Sequence, residues 1–237
     1  MVGTLYLIPC PISEDTLPYD VTPEGNHEVI TSLDYFIVEN LRSARRFLSK
    51  AGLSGKIDEL EFDELSEHTT SPREIERMVA KIKAGRSAGV ISEAGVPAVA
   101  DPGQLVVEAC HKAGIRVVPL VGPSSIIMAV MASGLSGQSF AFNGYLPVKE
   151  PERTRAIKRL ESRATGEHQS QLFIEAPYRN TKLAEQIISS CGVQTKLCIA
   201  CDITSKNEYI RTATIGEWRK IGVPDINKRP TIFIIGE

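Results

Sequence analysis

Short unbroken apolar runs alternate along the chain with segments in which apolar residues return every third or fourth position. The runs at Thr4–Ile8, Tyr35–Val38, Gly89–Ile91 and Arg116–Val121 predict buried strands of the parallel type. Between them, Ser71-Pro72-Arg73-Glu74 reads as a helix start. Serine caps, proline suits the first helical position, and the glutamate closes a capping box. Ile75, Met78, Val79 and Ile82 then mark one apolar stripe, and Gly85 ends it. Asp101-Pro102 opens a second helix by the same logic, with Leu105, Val106, Ala109 and Cys110 as its stripe and Gly114 as its stop. Strands alternating with amphipathic helices predict an α/β lobe.

The pattern changes where Gly122-Pro123-Ser124-Ser125 breaks a strand and opens an almost wholly apolar helix, Ile126 to Ala132. Further strands are predicted at Gln171–Ile174, Leu197–Ala200, Tyr209–Thr214 and Thr231–Ile235, with helices at Asn180–Ser190 and Ile215–Lys220. The expected organisation is a first α/β lobe over 1–119 and a second over 120–237.

No apolar run reaches the roughly 18 residues that a membrane span needs. The opening segment Met1–Cys10 lacks a basic region before its strand-like run, so no secretory signal is expected. Five cysteines, an odd number with mostly apolar neighbours, fit a reduced cytoplasmic protein. Lys and Arg total 27 against 29 Asp and Glu, which excludes a binder held on nucleic acid by bulk charge alone. Charge is uneven locally. Asp58 to Glu67 is acidic, while Arg42, Arg45, Arg46 and Lys50 share one helical face. Lys149, Arg153, Arg155, Lys158, Arg159 and Arg163 form a second basic group, diluted by Glu150, Glu152 and Glu161. Such groups are usually solvated faces, and together they offer contacts for RNA phosphates.

The sequence has neither a GxxxxGK[ST] phosphate loop nor a GxGxxG turn after a strand, and no HExxH. His27, His68, His111 and His168 are far apart, so no metal centre is expected. Cys198 and Cys201 form a CxxC within a strand-like run, where residues three apart face opposite sides and cannot share a metal. The unusual stretch is Ile91 to Gly103: it follows a strand, is rich in small residues, and exceeds the about two to six residues of an ordinary strand-to-helix loop. Small side chains let a ligand approach the backbone, and the carboxyl ends of parallel strands are where such sheets bind ligands. Asp101 within it reads as a cap for the next helix. Gly122 to Ser125 offers free amides and hydroxyls at a helix start, suited to a polar ligand group or to simple capping. Phe142-Asn143-Gly144-Tyr145-Leu146-Pro147 and Glu175-Ala176-Pro177-Tyr178-Arg179 are two further polar-aromatic segments, suited to lining a cleft and, taken alone, more often packed loops than sites.

These landmarks, in this order, resemble the tetrapyrrole methylase superfamily, and within it the family that methylates the ribose 2′-oxygen of small-subunit ribosomal RNA. The resemblance rests on Leu5-Tyr6-Leu7-Ile8-Pro9, on Ile91 to Pro97 with Asp101-Pro102-Gly103, and on Val118 to Ser124. It continues through Gly144 to Pro147, Phe173 to Ala176 with Arg179, and the last strand to Gly236. It implies a two-lobed tetrapyrrole-methylase-like α/β fold, S-adenosylmethionine in a cleft between the lobes, an RNA substrate and a homodimer. The implied cofactor contacts are Pro9, Glu93, Ala94, Gly95, Val96, Pro97, Val99, Ser124, Ser125, Ile126, Ile174, Glu175, Ala176 and Thr231. Glu39, Arg42 and Arg179 are the expected catalytic group: a carboxylate to accept the proton of a poor nucleophile, and two cations to place the substrate. Glu93 is a second candidate acceptor and Lys149 a third cation. The family's acid-Asp-Thr-Arg run stands here as Glu39-Asn40-Leu41-Arg42, and its Ser-Asp-Ala-Gly-Thr-Pro as Ser92-Glu93-Ala94-Gly95-Val96-Pro97. Two alternatives follow from these departures: the same fold methylating a small molecule such as a tetrapyrrole, or a cofactor-binding module without transferase activity.

Overall fold

The structure is a computed structural model that describes residues 1–13, 15–65 and 71–237. Glu14, His68 and the end of the acidic Asp58–Glu67 run lie outside the described residues. Two compact units make up the chain, Met1–Ser124 and Ser125–Glu237.

The first unit runs β1 (Thr4–Ile8), α1 (Pro18–Val21), α2 (Asn26–Ser32), β2 (Tyr35–Val38), α3 (Leu41–Leu48), β3 (Glu61–Glu64), α4 (Pro72–Lys83), β4 (Ala88–Ile91), α5 (Gly103–Lys112) and β5 (Arg116–Pro119). Its sheet has the order β3-β2-β4-β1-β5, and every pairing is parallel. Strand parity sends Leu5, Tyr35, Ile37, Ala88 and Val90 to the face covered by α4 and α5. Ile8, Phe36, Val38 and Ile91 go to the face covered by α2 and α3. The predicted helix at Ser71 forms as read. Ser71 Oγ accepts from Glu74 N, and the Glu74 carboxylate accepts from Ser71 N. The predicted strand at Arg116–Val121 stops at Pro119, although Leu120 N still donates to Leu7 O at 2.9 Å.

One strand escapes the apolar reading. Glu61-Phe62-Asp63-Glu64 is an edge strand, β3, inside the run read as an acidic solvated face. Its carboxylates are held by cations from neighbouring elements. Lys81 reaches Glu61 and Asp63 at 2.6 Å each, Arg77 reaches Asp63, and Arg86 bonds Glu61. Tyr35 donates its hydroxyl to Asp63 at 2.7 Å. Charge on an edge also discourages pairing with a foreign strand.

The second unit runs β6 (Phe140–Tyr145) after α6 (Ser125–Ser133), then α7 (Glu150–Gly166), β7 (Ser170–Ile174), α8 (Asn180–Ser190), β8 (Lys196–Cys201), β9 (Tyr209–Thr214), α9 (Ile215–Ile221) and β10 (Thr231–Gly236). Its sheet order is β6-β7-β10-β8-β9; only β6 and β7 pair in parallel, and the other pairings are antiparallel. One face carries Phe173, Leu197, Ile199, Cys201 and Phe233 beneath α7, α8 and α9. The other carries Leu172, Cys198, Ala200, Ile232 and Ile234 beneath α6. The CxxC cysteines are thus split across the sheet, as the strand period requires. Phe142 to Tyr145 is part of β6 and not a loop. The register against β7 shifts there, and Asn143 Nδ2 secures the irregularity through Ala141 O and Leu172 O, 3.1 Å each.

Candidate active site

In the first unit the carboxyl ends of the parallel strands gather the small-residue loop. Cys10 and Gly95 form an isolated antiparallel bridge, Cys10 N to Gly95 O at 2.8 Å and Gly95 N to Cys10 O at 3.1 Å. Gly95 has φ +68°, and a side chain there would meet Pro123 O at 3.4 Å. Gly122 packs on Pro9 so closely that a Cβ would lie 2.3 Å from the proline Cγ. Pro9, Gly95 and the Gly122 loop therefore form one backbone-to-backbone assembly. Asn26 Nδ2 fastens it from α2 by donating to Val121 O at 2.9 Å.

The rest of the loop is strained. Ala98 (φ 65°) and Ala100 (φ 60°) are left-handed although neither is glycine. That conformation costs roughly 1–2 kcal/mol per residue and is held only where the surroundings insist. Asp101 is what insists. Its two carboxylate oxygens accept from Ala98 N at 2.9 Å each, and Oδ1 also accepts from Gly103 N at 2.7 Å. The helix α5 begins at Gly103 with Pro102 as its N-cap, one residue later than predicted, so Asp101 is not the cap residue: it clasps the loop to the first amide of the helix. Glu93, Ala94 and Val99 are exposed, whereas Gly95 and Pro97 are buried.

Glu39 follows β2 directly and accepts from Glu93 N at 3.1 Å through Oε2, so the two candidate acceptors are linked. Glu39, Ser92, Asp101 and Pro102 border a cavity of about 10 Å³, the space of one water. Asn40, which stands where the family has an acid-following aspartate, caps α3: its Oδ1 accepts from Arg42 N at 3.0 Å and Ser43 N at 3.1 Å. The Arg42 side chain is exposed at this helix start.

In the second unit Ile126 and Ile174 share the apolar cluster under α6. Beyond Ile174 the Glu175 side chain is wholly buried. Its Oε1 accepts from Arg179 Nη2 at 2.6 Å and from Ala176 N at 2.7 Å. Arg179 also donates to the Tyr178 hydroxyl, and its guanidinium lies 5.1 Å from that ring's centre. The expected substrate cation is therefore paired internally. Thr231 Oγ1 and Asn180 Nδ2 both donate to Arg229 O, at 2.9 and 2.6 Å. Glu175 Oε2, Arg179 Nε and Asn180 Oδ1 are buried with no hydrogen-bond partner among the described residues. Such atoms cost about 1–3 kcal/mol each unless water or a ligand satisfies them. Asn26, Asn180 and Arg229 were not legible as site residues: their roles depend on contacts distant in sequence. Asn180, next to Arg179, carried only the signal of a helix start.

Cys10, beside Gly95, is buried, and burial pushes its thiol up to about 12, so it is not a thiolate nucleophile. Among the described residues no group of three or more His, Cys, Asp or Glu side chains is placed to hold a metal ion.

Comparison with known proteins places these features. A sequence profile of the tetrapyrrole (corrin/porphyrin) methylases matches residues 18–218. A protein named ribosomal RNA small subunit methyltransferase I from Escherichia coli O157:H7 is 31% identical over 227 residues, 96% of this chain and 74% of that one. Its namesake from Vibrio cholerae is 31% identical over 213 residues, covering 90% and 69%. Among solved structures, the methyltransferase CobJ superposes with a TM-score of 0.61 at 15% identity, covering 99% of this chain and 94% of that one. Uroporphyrin-III C-methyl transferase from Thermus thermophilus, complexed with S-adenyl homocysteine, gives 0.57 at 15%, covering 99% and 98%. These two share the fold.

Proposed function

The chain belongs to the tetrapyrrole methylase family and is a methyltransferase, and on that premise we propose that it uses S-adenosylmethionine to methylate a ribose 2′-oxygen in small-subunit ribosomal RNA. The observation that carries this is the clasped loop, Glu93–Ala100, held in a strained form at the carboxyl end of a parallel sheet. In the first unit Pro9, Glu93 to Pro97, Val99 and Ser124 are assigned to the cofactor. In the second, Ser125, Ile126, Ile174, Glu175, Ala176 and Thr231 are assigned to it. The residues present fit such a ligand. Glu175 Oε2 and Asn180 Oδ1 are buried acceptors in need of donors, which amino and hydroxyl groups supply. Bound, the cofactor supplies a methyl group already activated by a positive sulfur.

What remains for the protein is alignment, exclusion of water and removal of one proton. The attacking hydroxyl must give up its proton as it accepts the methyl group, and a side chain of this chain takes that proton. Glu39 is assigned as its acceptor, with Glu93, linked to it through one amide, as the second candidate. Arg42, exposed at the start of α3, is assigned to a substrate phosphate. Arg179, held by Glu175, positions its own segment. RNA is favoured over a tetrapyrrole because the relatives at 31% identity carry the ribosomal RNA name, whereas the 15% matches speak for fold alone.

The test is transfer of a labelled methyl group to small ribosomal subunits from cells that lack the activity. Label should appear in RNA and fall at least about tenfold with Glu39→Gln. Tight cofactor binding with no transfer would leave the small-molecule reading or the inactive module.

The protein is also proposed to work as a homodimer in the cytoplasm. On α6 the buried residues are Ala129 and Ser133, while Ile127 and Met131 are 46% and 75% exposed. An apolar outer face of this kind suits a second copy. Met131→Asp should shift the mass in solution to that of a monomer. No helix among the described residues is long and apolar enough to cross a membrane, and the five thiols are free, as in a reducing compartment.

A further inference from the structure

The two basic groups visible in the sequence are not alike in the structure. On α3, Arg45 is bonded to Asp58 and lies 6.0 Å from the centre of the Phe62 ring. On α7, Arg153 is not on the surface at all. It is 4% exposed, donates to Val148 O at 2.9 Å and bonds Gln186 on α8. The expected surface cation is an interior tie between two helices. Arg163 lies 3.6 Å from Glu167. That leaves Lys149, just ahead of the helix, and Arg155, Lys158 and Arg159 on it, all exposed, with no ion pair among the described residues. Of the three acids expected to dilute them, Glu161 is engaged elsewhere: its Oε1 accepts from Gly192 N at 2.7 Å and from the Thr195 hydroxyl. Glu150 and Glu152 are exposed in the first turn of α7, N-terminal to the row.

This arrangement works against the helix. Arg155, Arg159 and Arg163 stand at i, i+4 and i+8, and like charges at that spacing destabilise a helix by about 0.2–0.5 kcal/mol per pair. An external anion would reverse the sign. The opposite side of α7 is fixed by Ala156, Ile157, Leu160 and Ala164 in the core, so the backbone that carries the row is held in place and only the side chains have to be ordered.

We propose that the outer face of α7, Arg155 and Arg159 with Lys158 beside them, docks the phosphate backbone of the RNA substrate. This rests on the reading of the protein as a ribosomal RNA methyltransferase. Four residues of helix set the Cα atoms of Arg155 and Arg159 about 6 Å apart along the axis. Each guanidinium presents a planar fork that takes two phosphate oxygens. Contacts of this kind position the strand and read no bases.

The experiment uses the full chain and a fluorescent fragment of small-subunit ribosomal RNA, with affinity measured by anisotropy across a salt series. Each lost phosphate contact should make the slope of log affinity against log salt shallower by about 0.7 for a single strand. An Arg155→Gln/Lys158→Gln/Arg159→Gln variant should therefore lose about 2 from the slope, and Arg159→Gln alone about 0.7. Calorimetry with S-adenosylmethionine should be unchanged, which also certifies folding. A Lys182→Gln/Lys220→Gln control should keep the original slope. Full RNA binding with an unaltered slope in the triple variant overturns the docking face and leaves the function reading intact. No RNA binding by the unmodified chain overturns both. Equal loss of binding to vesicles rich in anionic lipid would assign the face to membranes and overturn it too.

Discussion

Asp101 shows how one side chain carries work that its neighbours display. Its carboxylate holds Ala98 and Gly103, and through them a loop whose alanines sit in an unfavourable backbone region. Asp101→Asn halves the acceptor capacity without changing size. It should destabilise the protein by about 1–3 kcal/mol in denaturant titrations. It should also raise the KM for S-adenosylmethionine more than it lowers kcat, because the loop shape is lost before the chemistry. Equal KM values for the two proteins would count against a positioning role. In the sequence, Asp101 before a proline looks like an ordinary cap. Nothing there reveals that its partner is Ala98, because a left-handed alanine leaves no mark in the residue pattern. The loop itself was legible, since a long small-residue stretch between a strand and a helix departs from the short connection such a junction needs.

Elements were most legible where one local rule decides them. The capping box at Ser71 and the apolar stripe of α4 need no partner from elsewhere in the chain. Ser71→Ala should accordingly cost about 1 kcal/mol in thermal or chemical unfolding, the usual value of an N-cap. β3 was illegible because it is an edge strand whose carboxylates are neutralised by Lys81, Arg77 and Arg86 from other elements. Arg153 was misplaced for the same reason. A helical arginine looks solvated until the opposing Gln186 and Val148 carbonyl are known. The bulge at Asn143 likewise depends on β7, and from sequence it passed for a loop.

At the scale of the molecule, the edge of the first unit sets an acid limit to stability. Hydrogen bonds from Lys81 and Arg86 hold Glu61 below the usual carboxylate range. Burial would raise Asp63, but bonds from Lys81 and Tyr35 outweigh it and the net shift is also downward. Both carboxyls therefore bind protons more readily in the unfolded chain. Their contribution is fully present above their unfolded values of about 4 and is lost as pH falls through the lower folded values. Unfolding free energy measured from neutral pH down to about 3 should drop along this limb. Lys81→Met should start lower and fall less steeply, and superimposable curves would refute the linkage. The α/β class was legible because helical and strand periods alternate over most of the chain, β8 and β9 being the strands that follow one another without a helix. The antiparallel majority of the second sheet was not, since periodicity carries no information about strand direction.

The parity of β8 has a consequence for life under oxidants. Cys198 and Cys201 look into separate cores on either side of one wall of hydrogen-bonded backbone. Two sulfurs so divided cannot be stapled together while the wall stands. A peroxide burst should leave the native chain chemically unmarked at this pair, and crosslinking there would record that the sheet had already come apart.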